Sequence, residues 1–166
     1  MTPEQFFDPT VIVFGKLMLA ILLGAIIGTE RAIIAKQAAG MRTFAIVALG
    51  SCLFIVTANY VSFSYIGIMN FDPLRTAAAI ITGIGFLGAG LIIFRHDSLH
   101  GVTTAAGLWI VSGIGIAVGF GLYAIAIFAT VLVLVMFTGM WYVEKRFKHW
   151  FDQNIELGNH PEHLGH

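Results

Sequence analysis

The sequence predicts an all-α integral membrane protein of five transmembrane helices, and three observations carry that reading. Of the 166 residues, 58% are hydrophobic and only 11% are charged, with a mean hydropathy of +0.88; a water-soluble domain carries about 25% charged residues. Five apolar stretches each approach the roughly 20 residues that a helix needs to cross a bilayer core. The cations fall mainly in alternate connections between those stretches, as expected of a chain that threads a membrane.

The spans run 11–29, 43–61, 76–94, 103–119 and 122–143. Lys16 lies inside the first, close enough to its end to snorkel to the headgroups. Ala20, Gly24 and Gly28 share its stripe. The second span holds Cys52, the single cysteine, which reads as a buried thiol with no intramolecular disulfide. Asp72-Pro73 opens the third span as an N-cap followed by proline at the first helical position. Ala78, Thr82, Gly85 and Ala89 then line one face, with Ala79, Gly83 and Gly90 beside it. In the fourth span Thr103-Thr104 can cap the start, Ala106, Gly113 and Ala117 form a small-residue face, and Gly115 and Gly119 form another. Trp109 and Ser112 are its larger polar-capable groups, and Ser112 is expected to bond back to its own helix. A tight turn, Gly119-Phe120-Gly121-Leu122, leads to the fifth span, which has no glycine from Leu122 to Thr138.

Helices in lipid associate through close backbone approach at small residues. The third and fourth spans are therefore expected to form the tight interior, with the fifth facing lipid. The packing positions expected are Gly24, Gly28, Gly83, Gly85, Gly88, Gly90 and Gly113. Such faces also suit a homodimer or higher oligomer.

Arg31, Lys36, Arg42, Arg95, Lys145, Arg146 and Lys148 all fall on one side of an odd-numbered bundle, leaving Lys16 and Arg75 for the other. The positive-inside rule then places the N-terminus in the periplasm and the C-terminus in the cytoplasm. Residues 1–143 form one membrane domain and 144–166 a basic, then polar, cytoplasmic tail. The segment Lys145 to Phe151 reads as a helix end on an anionic leaflet. Between the second and third spans, Phe63, Tyr65 and Phe71 suit the outer interface, and Asn70 adds a polar group there. No basic region precedes the first apolar run, so no cleavable signal is expected.

Charge beside a span is costly unless it is hydrated, paired or used. Arg42, Asp72 and Arg75 are the first candidates for a ligand or ion-pair constellation; Glu30, Arg31 and Thr104 are the second. Arg75 sits in the first turn of a helix, against its dipole. Asp72, a phospholipid headgroup or a bound solute could hold it, and a snorkelling arginine with a local Asp–Arg pair is the plainer alternative.

The formal net charge is zero, which speaks against a nucleic-acid partner. No Walker loop or nucleophile motif points to an enzyme. No cofactor is called for. His160, His163 and His166 in the tail, and His96 and His100 around Asp97, read as solvated polar residues rather than as a metal site. Mg²⁺ prefers carboxylate and water oxygens, and none of the nine acidic residues lies mid-membrane. That favours a binding or modulating role over a cation pump. A pore of backbone carbonyls at the glycine-rich third span keeps a transporter or channel for Mg²⁺ or another small solute as the alternative.

Five stretches, in order, resemble the MgtC/SapB family of bacterial inner-membrane proteins: residues 23–31, ending in Gly28-Thr29-Glu30-Arg31; Gly40-Met41-Arg42-Thr43; Asp72-Pro73-Leu74-Arg75; Gly83 to Gly90; and Gly101 to Trp109. The resemblance implies a plasma-membrane protein of about five helices with a periplasmic N-terminus, tied to magnesium limitation, envelope stress and the survival of intracellular pathogens. It also implies action on other membrane machinery, such as another inner-membrane complex. The family often has Gln where this chain has Ala79. Many members carry a soluble C-terminal domain, for which about twenty-five residues from Tyr142 are too few; the chain is similar to the short form.

Overall fold

The computed structural model describes residues 8–33, 39–64, 72–95 and 98–158. The expectations for Lys36, Tyr65, Asn70, Phe71, His96, Asp97 and the tail histidines fall on residues outside these. Five helices follow in order, α1 (Pro9–Ile33), α2 (Met41–Ser64), α3 (Pro73–Leu91), α4 (Val102–Gly119) and α5 (Tyr123–Gly158), with two short strands, β1 (Ile93–Arg95) and β2 (Ser98–His100), between α3 and α4. Each helix is long and apolar enough to cross a bilayer, so the chain is a multi-pass membrane protein.

Three helices make the core. In α4, 61% of the membrane-crossing residues are buried, against 11% in α3 and 11% in α5. Ala20, Leu23 and Ile27 of α1 meet Phe44, Ala48 and Cys52 of α2 and Leu108, Val111, Ile114 and Val118 of α4. Glycine lets these backbones touch. A Cβ at Gly24 would lie 2.7 Å from the Phe44 carbonyl oxygen, one at Gly28 2.6 Å from the Met41 Cα, and one at Gly119 2.7 Å from the Ile55 side chain. At Gly115 a Cβ would run into the Ala48 carbonyl.

The expected interior is therefore corrected for α3. At Gly83, Gly85 and Gly90, and at Gly113 of α4, no atom lies within 4 Å of where a Cβ would stand, and Gly88 makes only an ordinary 3.6 Å approach to Ala105. Glycine density alone does not say which face a neighbour covers. In this chain α1 is the close partner of α2, and α3 rests chiefly on α4 with Gly83, Gly85 and Gly90 left open. The fifth helix is peripheral, as its lack of glycine from Leu122 to Thr138 predicts.

Two boundaries also shift. The third span was expected to run through Phe94, but α3 stops at Leu91. Ile92 turns extended, its N–H reaching the Ala89 carbonyl at 3.2 Å, and Ile93-Phe94 enters β1, where branched and aromatic side chains fit well. Strand β1 pairs antiparallel with β2, Phe94 opposite Leu99 and Ile93 opposite His100. Gly101, at φ 90°, then starts α4; a Cβ there would strike the Leu91 carbonyl, so only glycine allows this return. At the other boundary, α5 continues through the expected tail to Gly158. Its 36 residues reach about 54 Å at 1.5 Å per residue, well beyond a hydrocarbon core of about 30 Å.

Candidate functional site

Helix α1 places two ionic side chains in its last turns and buries both: Glu30 is 7% exposed and Arg31 5%. A cation at a helix C-terminus is favoured by the dipole. The Arg31 guanidinium crosses to α4, where its Nη2 donates to Thr104 Oγ1 at 3.4 Å, and it lies 4.5 Å from the centroid of the Phe137 ring on α5. Thr104 is itself buried, at 3% exposure. Gly107, one turn on, makes room for the ring: a Cβ there would lie 2.9 Å from the Phe137 Cζ. One arginine thus joins α1, α4 and α5 at a single rim.

The cluster is not saturated. Both carboxylate oxygens of Glu30 and the Nε of Arg31 are buried without a hydrogen-bond partner. A buried polar atom left in this state costs free energy until water, a proton or a ligand satisfies it. The carboxylate offers acceptors and the Nε a donor, each available to a small polar group such as water. Among the described residues no three His, Cys, Asp or Glu side chains gather as a metal site.

The opposite rim has its own anchor. Lys16 Nζ donates to the Gly119 carbonyl at 3.2 Å, where the last carbonyls of α4 lack helical partners. Lys16 therefore caps α4 as well as reaching toward the surface. Midway between the rims, Ser112 bonds to Ser51 of α2 at 2.9 Å, both side chains buried. The expected back-bond of Ser112 is corrected: the close Gly115–Ala48 approach brings a second hydroxyl within reach.

The first candidates are not brought together. Arg42 is exposed in the first turn of α2, at the Arg31 rim. Asp72 caps α3 at the Lys16 rim, accepting from the Leu74 N–H at 2.9 Å, as its Asp-Pro sequence predicts. Arg75 is exposed, and only its backbone N–H turns back to the Asp72 carbonyl, at 3.0 Å. Among the described residues no ion pair joins Asp72 to Arg75. The geometry reverses the expected ranking: Glu30, Arg31 and Thr104 form the cluster, and Arg42, Asp72 and Arg75 do not. Phe137, Gly107 and Ser51 are the participants that sequence reasoning missed, and Lys16 was read as a snorkelling cation without its Gly119 partner. Only Gly107 carried a signal, its place one turn after Thr104 in a family-like motif.

A model described as the MgtC family matches residues 17–146. The chain is 41% identical over 134 residues to an uncharacterized protein of Haemophilus influenzae, a match covering 78% of this chain and 56% of that one. It is 37% identical over 126 residues to a protein of Escherichia coli K12 named "Putative magnesium transporter YhiD", covering 73% and 57%. It is 42% identical over 119 residues to Protein MgtC of Salmonella typhimurium LT2, covering 72% and 48%. The chain spans about half the length of the curated relatives it matches. No solved structure matches it.

Proposed function

The chain belongs to the MgtC family, and from that premise we propose that it serves magnesium homeostasis or envelope-stress adaptation in a bacterial inner membrane by binding or modulating other membrane machinery. The observation that carries this reading is the fixed state of two cations, Arg31 buried and Lys16 half-buried. Arg31 is held by Thr104 and Phe137, and Lys16 by the end of α4. Both tie helices together across an interface in which the backbones of α1, α2 and α4 meet closely from Gly28 to Gly119. A conduction path through this core would have to part those backbones. Glu30 is the sole carboxylate within the five spans, and it lies three residues from the end of α1. Ion-coupled transport generally relies on ionisable groups deeper in the membrane.

In this reading the Glu30–Arg31 cluster stands at the cytoplasmic rim, following the positive-inside bias. There its oxygens and nitrogen are enclosed, and a polar group of a partner membrane protein or of a second copy of the chain would engage them as the rim opens. Transport of Mg²⁺ or another small solute is the alternative, and the name of the Escherichia coli relative favours it.

Vesicles loaded with a magnesium-sensitive dye separate the two. The expected result is no Mg²⁺ flux above protein-free vesicles, while growth of a deletion strain in low magnesium depends on Arg31 and Glu30. Magnesium uptake by the wild-type chain that disappears in Glu30→Gln, with fold retained, overturns the modulator reading.

A further inference from the structure

The β1–β2 hairpin leaves α3 after one residue, Ile92, and returns to α4 through one residue, Gly101. It lies at the Arg31 rim, because the N-terminal turn of α4 carries Thr104 to Arg31. Its alternation is amphipathic. Phe94 and Leu99 face each other in register and share one side. On the other side, Ser98 and His100 are linked by a 2.8 Å hydrogen bond between Oγ and Nε2. The apolar side is open: Phe94 is 66% exposed and Leu99 58%, while Ile93, opposite His100, lies on the other side beside the helix end.

We propose that this hairpin is a membrane-surface element whose Phe94/Leu99 face inserts among phospholipid chains, with its Ser98/His100 face toward headgroups and water. The occupant follows from continuity with the bilayer. Three-residue strands extend about 10 Å at 3.3 Å per residue, and links of one residue tie them to two spanning helices. The interfacial layer on each side of a bilayer is about 5–8 Å deep. The hairpin therefore cannot stand clear of it. Aromatic and aliphatic side chains at that depth gain apolar contact without exposing the strands' open edges to hydrocarbon, because polar groups remain within reach. A water-facing Phe94/Leu99 pair would gain nothing comparable. The alternative cover is a strand or helix of a second copy or of a partner docked on the open edges.

Site-directed spin labelling of the full chain in phospholipid vesicles tests the assignment. Single labels go at Leu99→Cys and Ser98→Cys, with Cys52→Ala removing the native thiol. Phe94→Cys repeats the apolar-face measurement from the opposite strand. Expected are oxygen broadening with protection from a water-soluble nickel chelate at Leu99→Cys and Phe94→Cys, and loss of that protection at Ser98→Cys. Chelate access equal at all three positions overturns the proposal, because the hairpin then stands in water. Exclusion of both reagents from Leu99→Cys and Phe94→Cys also overturns it, because protein then covers the face.

Discussion

Lys16 donates to the Gly119 carbonyl across 3.2 Å while Arg31, fifteen residues further along the same helix, reaches Thr104, fifteen residues before Gly119. The two contacts fix α1 and α4 as antiparallel neighbours and pin both ends of the central helix. Each cation meets a polar group at the end of another helix, so a charge that would be costly in lipid becomes a connector.

Replacing Lys16 by Met leaves the Gly119 carbonyl without its donor. A charge-assisted hydrogen bond at a helix end contributes about 1–2 kcal/mol. Lys16→Met should lower stability by about that amount in detergent unfolding, with Lys16→Arg recovering most of it.

Arg31 and Glu30 should behave unequally. Arg31→Met leaves the Glu30 carboxylate buried beside no cation, and loss of one member of a buried charged cluster costs about 3–5 kcal/mol. Glu30→Gln takes away only the neighbouring charge and leaves the Thr104 and Phe137 contacts of Arg31 in place, so it should cost less. An unfolding series in which Glu30→Gln is the more damaging change contradicts this geometry.

Glycines separate by their surroundings. Gly115→Ala drives a methyl group into the Ala48 carbonyl and should cost about 1–3 kcal/mol, as overpacking does. Gly113→Ala meets open space and should stay within about 0.5 kcal/mol of wild type. Thermal unfolding followed by fluorescence-detected size exclusion measures both.

Ser51 and Ser112 should be coupled. Membrane double-mutant cycles for interhelical hydrogen bonds average about 0.6 kcal/mol. Ser51→Ala and Ser112→Ala together should cost less than the sum of the single changes by roughly that amount.

At the start of α1 the exposed Asp8 carboxylate accepts from the Thr10 backbone N–H at 2.8 Å. That bond, with the Thr10 side chain, holds its pKa below the ordinary 3.8. The depressed folded value means the cap stabilises α1 fully above the unfolded pKa and is lost as pH falls through the folded one. Carboxyl resonances followed by NMR should show Asp8 titrating below the ordinary value. In Thr10→Pro, which removes the donating N–H, it should move back up.

Part of this was legible from residue chemistry alone. The Asp72-Pro73 cap was readable because both of its signals are local: a side chain that bonds two residues on, and a ring that fixes its own backbone angle. The peripheral α5 was readable from its lack of glycine. The Arg31 cluster was only half readable. Glu30, Arg31 and Thr104 stood out as charged or capping groups, but nothing marked Phe137, which lies more than a hundred residues from Arg31 and looks like any lipid-facing aromatic. Ser112 and Ser51 were hidden for the same reason, each having a carbonyl of its own helix as a ready local partner.

By itself the sequence determined the membrane class, the number of crossings and the rims where charge gathers, because lipid accepts long apolar helices and little else. Tertiary structure alone decided which glycines are closed over and which charges are enclosed. Several small-residue faces on each helix permit close approach, and the choice among them depends on how the helices rotate against one another, a property no single segment carries. That choice left Gly83, Gly85 and Gly90 of α3 open, closed α1, α2 and α4 on each other, and set Arg31 between Thr104 and Phe137.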